Sequence, residues 1–383
     1  MKLKTLAFAS FATLMAAAPA FSAGHANTAK VGLITTLSGS AAGLGAEIRD
    51  GFQLALEQAG ADNIELIVKD DARKPDVAVS IADEMIQSDK VDIMTGIIWS
   101  NLLLAVAPNA VRQGVFYLSP NAGPSALAGK GCHENYFNVA WQNDNLHEAA
   151  GAYANSTGYT NSFILAPNYP AGQDALNGYK RFYEGELAGE LCTQLGQTDY
   201  AAEIAQIRAS GADSVFFFLP GGMGISFLKQ YADSGVDIPV LGPAFSFDQG
   251  ILQAVGGAAL GVVNTSQWNK DIDNPTNASF VESFEAEYGR LPSLYASQGF
   301  DTANLILSAL ETASPDDAGA FREALRAADF DSTRGDFAFG PNHHPIQTIY
   351  AREVVQEGDI FTNRILGVAL EAHADAYAAD CKM

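Results

Sequence analysis

The 383-residue sequence has little positive charge. It contains 22 Lys and Arg residues against 44 Asp and Glu residues, a formal net charge of −22. A field of this sign repels nucleic acid and anionic membrane surfaces, so neither is an expected partner. Charged residues make up only 17% of the chain and hydrophobic residues 48%, a balance that excludes disorder and predicts a large core. The length exceeds one ordinary core and predicts two domains.

Long apolar runs are also scarce, and the one candidate lies near the N-terminus. Lys2 and Lys4 precede an apolar segment over residues 5–18, and small residues follow. This order is typical of a secretory signal peptide, and the run is shorter than the roughly 20 residues that a membrane anchor needs. The sequence therefore predicts export from the cytoplasm.

Three positions suit the cleavage of this signal peptide because each is a small residue, and they are Ala20, Ser22 and Ala26. We favour Ala26, and hence a signal peptide over residues 1–26, because the first strand begins close after it, near Lys30. The mature chain would then lie in an oxidising compartment.

Cysteine is rare, with three residues in the whole chain, Cys132, Cys192 and Cys381. In an oxidising compartment they form at most one intramolecular disulfide. Cys192 lies in ELCTQL, a segment typical of the start of a strand, and we expect it to be buried. Cys132 follows a loop, and Cys381 lies near the C-terminal end, where a covalent link would hold a fraying segment. We favour the pair Cys132–Cys381, and no cysteine spacing suggests a metal.

The motifs of common enzymes are absent. The sequence has no G-x-S-x-G, the nucleophile elbow of many hydrolases, and no G-x-x-x-x-G-K-[ST]. In PGGMGISF, Gly222 and Gly224 have the spacing of a dinucleotide-binding loop, but Phe227 stands where the third glycine belongs. We therefore expect no enzyme activity, no nucleotide and no other cofactor.

Two pairs of adjacent polar residues are weak candidates for a metal site or a reactive carboxylate pair. His343-His344 could suggest a metal, but adjacent side chains diverge and Pro345 follows, so a hinge loop is the favoured interpretation. Asp70-Asp71 ends a predicted strand and could form a carboxylate pair, but we expect it to cap the next helix or to face solvent.

Short apolar runs alternate with longer amphipathic segments from Lys30 onward. A first series alternates the strands KVGLITTL, IELIVKDD, VDIMTGII and VFYLS with helices, and a second series, which includes a helix over about 173–187, begins after FNVAWQND. The run Phe216–Phe218 is expected to be core. Strands that alternate with helices of this length predict parallel sheets covered by helices on both faces. The predicted fold class is α/β, with two doubly wound, Rossmann-like domains.

The first series has too few helices to cover its sheet, so later helices are expected to return to it. This predicts two discontinuous lobes joined by three hinge crossings, near 139–143, 268–273 and 340–345. The predicted lobes are an N-terminal lobe of residues 27–140 plus 273–342 and a C-terminal lobe of residues 141–272 plus 343–383.

Six loops that follow predicted strands share a small, polar composition. They are TLSGSAAGLG (36–45), WSN (99–101), SPNAG (119–123), PNYPAGQD (167–174), PGGMG (220–224) and GPAFSFD (242–248). In open parallel sheets, ligands bind beyond the carboxyl ends of the strands, where helix N-termini present free N–H groups. Any one loop is compatible with an ordinary turn. Six of them, at strand ends of both halves, favour a cleft that binds a small solute.

Three segments together resemble the leucine/isoleucine/valine-type periplasmic solute-binding proteins of ABC importers, which are type I periplasmic binding proteins. They are KVGLITTLSGSAAGLGAEIRDGFQLALE, AVAPNAVRQGVFYLSPNAG and LPGGMGISFLKQYADSG, and the similarity extends over nearly all of the mature chain. The resemblance implies two lobes that close over a solute, three hinge crossings, and permease subunits in the inner membrane as partners. We expect a monomer.

The resemblance also implies roles for individual residues. In the amino-acid binders of this family, a serine and backbone groups of the first lobe hold the ligand carboxylate, and the matching positions here are Ser100, Asn121 and Gly123. Aromatic ligand-binding positions of the family fall on Leu44 and Tyr169. The full set of expected ligand-binding residues is Leu44, Trp99, Ser100, Asn101, Asn121, Ala122, Gly123, Tyr169, Gly221, Gly222 and Phe245.

Two departures from the family bear on the ligand. The amino-acid binders have a hydroxyl residue where this chain has Gly123, and an acidic residue where it has Ala244. A buried ammonium group without a counter-charge is costly. With Trp99, Tyr169 and Phe245 as walls, the resemblance to aromatic-acid-binding relatives implies a carboxylate such as benzoate or hydroxycinnamate. The alternatives are a branched-chain or other amino acid, or a sensory subunit that reports a ligand to a partner.

Overall fold

The first half of the chain alternates strands and helices. The computed structural model describes residues 27–383, so the expected signal peptide over residues 1–26 lies outside the described residues. The elements are β1 (Ala29–Thr35), α1 (Ala42–Ala59), β2 (Ile64–Asp70), α2 (Pro75–Glu84), β3 (Ile93–Thr95), α3 (Ser100–Arg112), β4 (Phe116–Ser119), α4 (Ser125–Ala128) and β5 (Tyr136–Asn138). The five strands form a parallel sheet in the order β2-β1-β3-β4-β5.

The second half of the chain contains a larger, mixed sheet and the remaining helices. Its elements are α5 (Asn145–Thr157), β6 (Asn161–Pro167), α6 (Pro170–Phe182), β7 (Glu186–Thr193), α7 (Ala201–Ala209), β8 (Ser214–Phe217), α8 (Gly222–Ser234), β9 (Val240–Pro243), α9 (Gln249–Val255), β10 (Val263–Ser266), α10 (Pro275–Tyr288), α11 (Leu294–Thr312), α12 (Ala318–Ala327), β11 (Ala338–Phe339), β12 (Pro345–Glu357) and β13 (Ile360–His373). The strand order is β11-β12-β10-β9-β8-β6-β7, with β13 antiparallel beside β12.

The predicted α/β fold with two lobes and parallel sheets is confirmed. The helix predicted over 173–187 is wrong at both ends: α6 begins at Pro170, whose ring suits the first helical turn, and ends at Phe182. Leu187 belongs to β7. Gly185 makes this change of direction possible, because a Cβ there would lie 2.3 Å from the Tyr183 hydroxyl oxygen.

The later helices return to the first sheet, as the small number of helices in the first series predicts. Helix α11 packs against α1, and two glycines let their backbones approach. A Cβ at Gly51 would lie 1.9 Å from the Ala296 carbonyl oxygen, and a Cβ at Gly299 would lie 2.1 Å from that of Ile48. A side chain at either position would therefore force the two helices apart.

A buried guanidinium group ties the crossings between the sheets together. Arg334 Nε donates to Asp301 Oδ2 at 2.9 Å, and both side chains are almost fully buried. Arg334 Nη1 also donates to the Ala140 carbonyl oxygen at 3.1 Å and to Gln347 Oε1 at 2.9 Å. These partners lie just after β5, on α11 and on β12, so one side chain links three separate passages of the chain. The lobe limits given above stay a prediction.

The Cys132–Cys381 disulfide joins segments 249 residues apart and confirms the predicted pair. It connects the loop before β5 to the segment after β13. That segment is also held by hydrogen bonds from Asn342 Nδ2 to Asp375 Oδ2 at 2.8 Å, from the Tyr377 hydroxyl to Asp144 Oδ2 at 2.7 Å and from Arg181 Nη2 to the Tyr377 hydroxyl oxygen at 2.9 Å.

The expectation that Cys192 is buried is wrong. Its thiol is free and exposed, because β7 is the edge strand of the second sheet and pairs only with β6. Among the residues from 27 onward, no helix is long and apolar enough to cross a membrane.

Replacing both Cys132 and Cys381 by Ser should lower the free energy of unfolding by about 2–5 kcal/mol, because a long loop regains its freedom in the unfolded chain. Urea unfolding without reductant measures this change. The control variant Cys192→Ser removes an exposed, unpaired thiol and should change the free energy by less than about 0.5 kcal/mol. A double variant as stable as the wild type would show that the disulfide does not stabilise the fold.

Candidate ligand-binding cleft

A narrow cavity lies between the carboxyl ends of the two sheets. Both halves of the chain contribute to its lining, which consists of Leu44, Ile98, Trp99, Ser100, Asn121, Ala122, Trp141, Asn143, His147, Tyr169, Ala171, Phe218, Pro220, Phe245 and Tyr295. This is the position at which ligands bind in open parallel sheets.

Seven of the eleven residues expected from the sequence come together in this lining: Leu44, Trp99, Ser100, Asn121, Ala122, Tyr169 and Phe245. Asn101, Gly123, Gly221 and Gly222 do not line the cavity. Gly221 nevertheless lies close to its rim, since a Cβ there would be 3.8 Å from Cδ1 of Leu44. Its φ of 65° and ψ of −136° also require glycine.

Ser100 begins α3 and presents its hydroxyl group at the cavity wall. Asn143 Nδ2 donates to Ser100 Oγ at 3.1 Å, while Asn143 Oδ1 accepts from the Gly123 N–H at 3.0 Å. The second bond fixes which end of the amide is oxygen. Because Ser100 Oγ accepts from Asn143, its own proton remains available for a ligand acceptor.

Asp174 bridges the two walls of the cleft. It lies on α6, beside the second sheet, and its Oδ2 accepts from Asn143 Nδ2 at 2.9 Å. Its carboxylate also accepts from the N–H and the hydroxyl of Ser125, on α4 beside the first sheet, at 3.0 and 2.6 Å. Burial raises the pKa of Asp174, and the bonds from Ser125 and Asn143 oppose that rise. Asp174 thus connects the two walls of the cleft and holds them in a closed arrangement.

The SPNAG loop packs tightly against the first crossing. Asn121 Nδ2 donates to the Ile98 carbonyl oxygen at 2.8 Å, and its Oδ1 is buried without a partner among the described residues. Gly123 has no room for a side chain, because a Cβ would lie 2.0 Å from the Trp141 carbonyl oxygen. Its N–H is occupied by Asn143, so Gly123 supports the cleft rather than facing it.

Asp70 and Asp71 hold a loop that supports Trp99. Asp70 Oδ1 accepts from the Ala72 N–H at 2.8 Å, and Asp71 Oδ1 accepts from the Arg73 N–H at 2.7 Å. Ala72 and Arg73 both have positive φ, 49° and 59°, a strained backbone that these bonds stabilise. The Arg73 guanidinium then lies 4.1 Å from the Trp99 ring centroid. The expectation that this pair caps α2 or faces solvent is wrong for Asp71, which is fully buried and holds the loop.

Aromatic rings form most of the remaining lining. The Phe245 ring packs edge-on against Trp141 at 4.7 Å and against Phe218 at 5.4 Å. Tyr169 stacks with Phe218 at 6.3 Å. Phe218 thus lines the cavity, although the strand pattern groups it with the core residues Phe216 and Phe217.

His147 lies within this aromatic cluster, in the first turn of α5. Its ring centroid is 5.0 Å from that of Phe218 and 6.1 Å from that of Phe245. Nδ1 is buried with no hydrogen-bond partner among the described residues. Burial lowers the pKa of His147 to about 3, so the ring is neutral at physiological pH.

The lining carries no formal charge: it contains no Asp, Glu, Lys or Arg among the residues that the structure describes. The carboxylate of Asp174 is bonded to Ser125 and Asn143, and Arg73 lies behind Trp99. A solute would therefore meet neutral hydrogen-bonding groups, aromatic rings and the N-terminus of α3 with its partial positive charge.

Sequence reasoning did not identify several lining residues, notably Trp141, Asn143, His147 and Tyr295. The first two lie in the predicted crossing at 139–143, and a Trp followed closely by amides in AWQND could have marked a hinge that faces a ligand. His147 follows Asn143 by four residues and lies in the first turn of α5. Tyr295 comes from α11, about 150 residues after His147 along the chain, and no local pattern distinguishes it.

Comparisons with known proteins agree on the architecture. The sequence profile of the family described as periplasmic binding protein matches residues 28–359. The Leu/Ile/Val-binding protein homolog 6 of Brucella melitensis is 28% identical over 375 residues, covering 93% of this chain and 94% of that protein.

Two solved structures are also similar. A solute-binding protein of an ABC transporter from R. palustris, in complex with benzoate, is 30% identical with a TM-score of 0.87, covering 93% of this chain and 100% of that one. A second, from Rhodopseudomonas palustris BisB5 in complex with 3,4-dihydroxybenzoic acid, is 29% identical with a TM-score of 0.82, covering 91% and 99%.

Because His147 is buried in its neutral form, the free energy of unfolding should fall at acidic pH. The unfolded chain binds a proton near the ordinary pKa of 6.5, whereas the folded chain does not until about pH 3, so stability falls as the pH drops through this window. Between pH 7 and pH 5 this one group should remove about 2 kcal/mol. Urea unfolding of the wild type and His147→Phe at both pH values measures it: the variant should lose about 2 kcal/mol less. Equal losses would show that His147 is protonated in the folded protein.

Proposed function

The chain belongs to the periplasmic binding protein family, a family of solute-binding receptors rather than enzymes, and from that premise we propose which solute it carries. The protein is the receptor of an ABC importer that encloses a small aromatic carboxylate between its two lobes. It acts as a monomer in the periplasm and delivers the closed, loaded form to permease subunits in the inner membrane.

The observation that carries this proposal is the chemistry of the cavity. Aromatic side chains form much of the lining, with Trp99, Trp141, Tyr169, Phe218 and Phe245 among them, and within residues 27–383 the lining contains no carboxylate to neutralise an ammonium group. An aromatic ring gains from contacts of this kind. A buried ammonium without a partner would lose several kcal/mol of solvation.

The carboxylate of the ligand would lie at the first-lobe wall. There the Ser100 hydroxyl is oriented by Asn143 to donate, and the N-terminus of α3 adds its partial positive charge. The Arg73 guanidinium behind Trp99 contributes further positive potential. The Asp174 bridge to Ser125 and Asn143 would then hold the lobes closed over the ligand.

Relatives of known ligand support the aromatic class. The two R. palustris proteins, which are about as similar to this chain as the Brucella protein is, were solved with benzoate and with 3,4-dihydroxybenzoic acid. Both ligands are carboxylates without an amine.

A branched-chain amino acid is the second candidate, favoured by the Leu/Ile/Val-binding name of the Brucella homolog. Two positions speak against it. Gly123 cannot be exchanged for a hydroxyl residue without displacing the Trp141 backbone, and Ala244 offers no charge. A sensory subunit that reports ligand to a partner would share the same cleft, and neighbouring permease and ATPase genes would favour transport over that role.

A thermal-shift screen of benzoate, 4-hydroxybenzoate, leucine and isoleucine decides the ligand class. At a hundredfold excess over Kd, a bound ligand adds about 2.7 kcal/mol to the stability of the folded state. We expect a rise in Tm of about 5 °C with the aromatic acids and no rise with the amino acids. Stabilisation by leucine alone would replace the aromatic proposal with the second candidate.

Ser100→Ala should weaken the binding of the aromatic acid about 10- to 100-fold, because the ligand loses a hydrogen bond to its charged group. Isothermal titration calorimetry measures the affinity, and circular dichroism checks the fold. Ser234→Ala is a matched control, since that serine lies at the end of α8 and its hydroxyl bonds the Tyr231 carbonyl oxygen. Unchanged affinity in Ser100→Ala would show that the ligand carboxylate does not bind at the start of α3.

A further inference from the structure

His147 is a buried polar side chain for which the fold supplies no partner. It is 1% exposed, and its Nδ1 has no hydrogen bond among the residues that the structure describes. Because a neutral imidazole carries one N–H donor and one acceptor nitrogen, burying Nδ1 without a hydrogen-bond partner is unfavourable. A buried polar group of this kind calls for an explanation.

The surroundings of His147 restrict what can provide that partner. Its neighbours are the rings of Phe216, Phe218 and Phe245, at 5.8, 5.0 and 6.1 Å between centroids. None of these rings accepts or donates a conventional hydrogen bond. The ring also lines the cavity, so a group that enters the cavity can reach it.

The position of His147 separates it from the expected carboxylate site. Ser100, Asn121 and Ala122 follow strands of the first sheet, whereas Phe218 and Phe245 follow β8 and β9 of the second. A ligand whose carboxylate meets Ser100 and whose ring packs against Phe218 and Phe245 brings an edge of that ring close to His147, because those two rings contact the imidazole.

We propose that His147 hydrogen-bonds a hydroxyl group on the aromatic ring of the ligand and makes the receptor selective for hydroxylated aromatic acids. This inference rests on the proposed function and specifies its substrate class. A hydroxyl group both donates and accepts, so it pairs with a neutral imidazole in either tautomer. A hydrogen-bonding site of this kind discriminates strongly against an analogue that lacks the hydroxyl, because the imidazole is then left unpaired.

The neutral state of His147 fits this role. Burial lowers its pKa to about 3, and the three phenylalanine rings around it carry no charge. A cationic imidazole would instead attract a second carboxylate, and the ring would then select dicarboxylates. The neutral ring selects a neutral hydroxyl group.

The test compares 4-hydroxybenzoate and 3-hydroxybenzoate with 4-methylbenzoate and 3-methylbenzoate, which have similar shapes without the hydroxyl. Calorimetry gives the ratio of Kd for each methyl and hydroxyl pair. We expect the wild type to prefer at least one hydroxyl compound about tenfold. In His147→Phe that preference should fall to about onefold, and in His147→Gln, which keeps a neutral donor and acceptor, it should partly return.

Controls make each outcome decisive. His133→Phe replaces a half-buried histidine outside the cavity, in the loop before β5, and should keep the wild-type ratios. A wild type that binds aromatic acids without preferring a hydroxyl, or a His147→Phe variant that keeps the preference, overturns the assignment of His147 while the proposed function stands. A wild type that binds none of the four acids overturns both.

Discussion

The side-chain amide of Asn143 is the interaction on which the site depends. Its nitrogen donates to Ser100 and Asp174, and its oxygen accepts from the Gly123 N–H. The loop that holds Gly123, the start of α3 and helix α6 of the opposite wall thereby converge on one planar group. Because the amide lies immediately after the first crossing, the geometry of the ligand site and the geometry of the hinge are set by the same few bonds. A buried network in which every polar group has a hydrogen-bond partner is rigid and specific. Removing one side chain from it leaves several polar groups without partners.

Most of the fold can be predicted from the sequence, but only part of the ligand-binding site can. Alternating strands and helices indicate the two sheets, and the small-residue loops mark the strand ends that form the cleft, because both are local patterns. Phe218, Asn143 and Tyr295 could not be assigned in the same way. Phe218 continues an apolar strand and reaches the cavity only because β8 ends at Phe217. Asn143 and Tyr295 are brought in by tertiary packing, through a crossing and a helix that returns from far along the chain.

Cys192 and Asp71 are residues whose burial the local sequence predicts wrongly. An apolar strand segment predicts burial, but Cys192 is exposed because its strand is the last in the sheet order, which local sequence does not record. An acidic pair after a strand predicts a cap or solvent exposure, yet Asp71 is buried because the next two residues turn through left-handed conformations and direct their N–H groups at the two carboxylates. That turn places the Arg73 guanidinium 4.1 Å from the Trp99 ring centroid, so a protein of strongly negative net charge has a cationic group beside a residue that lines the cleft.

The disulfide also bears on how the protein is made. Cys132 and Cys192 precede Cys381 along the chain, so during export they are available to each other before the native partner of Cys132 arrives. A bond between them would leave the segment after β13 unattached. From such a state, attack by the thiolate of Cys381 on the sulfur of Cys132 would form the native bond and release Cys192 as a thiolate. Since Cys192 lies exposed on an edge strand, its thiol stays accessible in the folded protein, and a misplaced bond to it would remain open to correction by exchange.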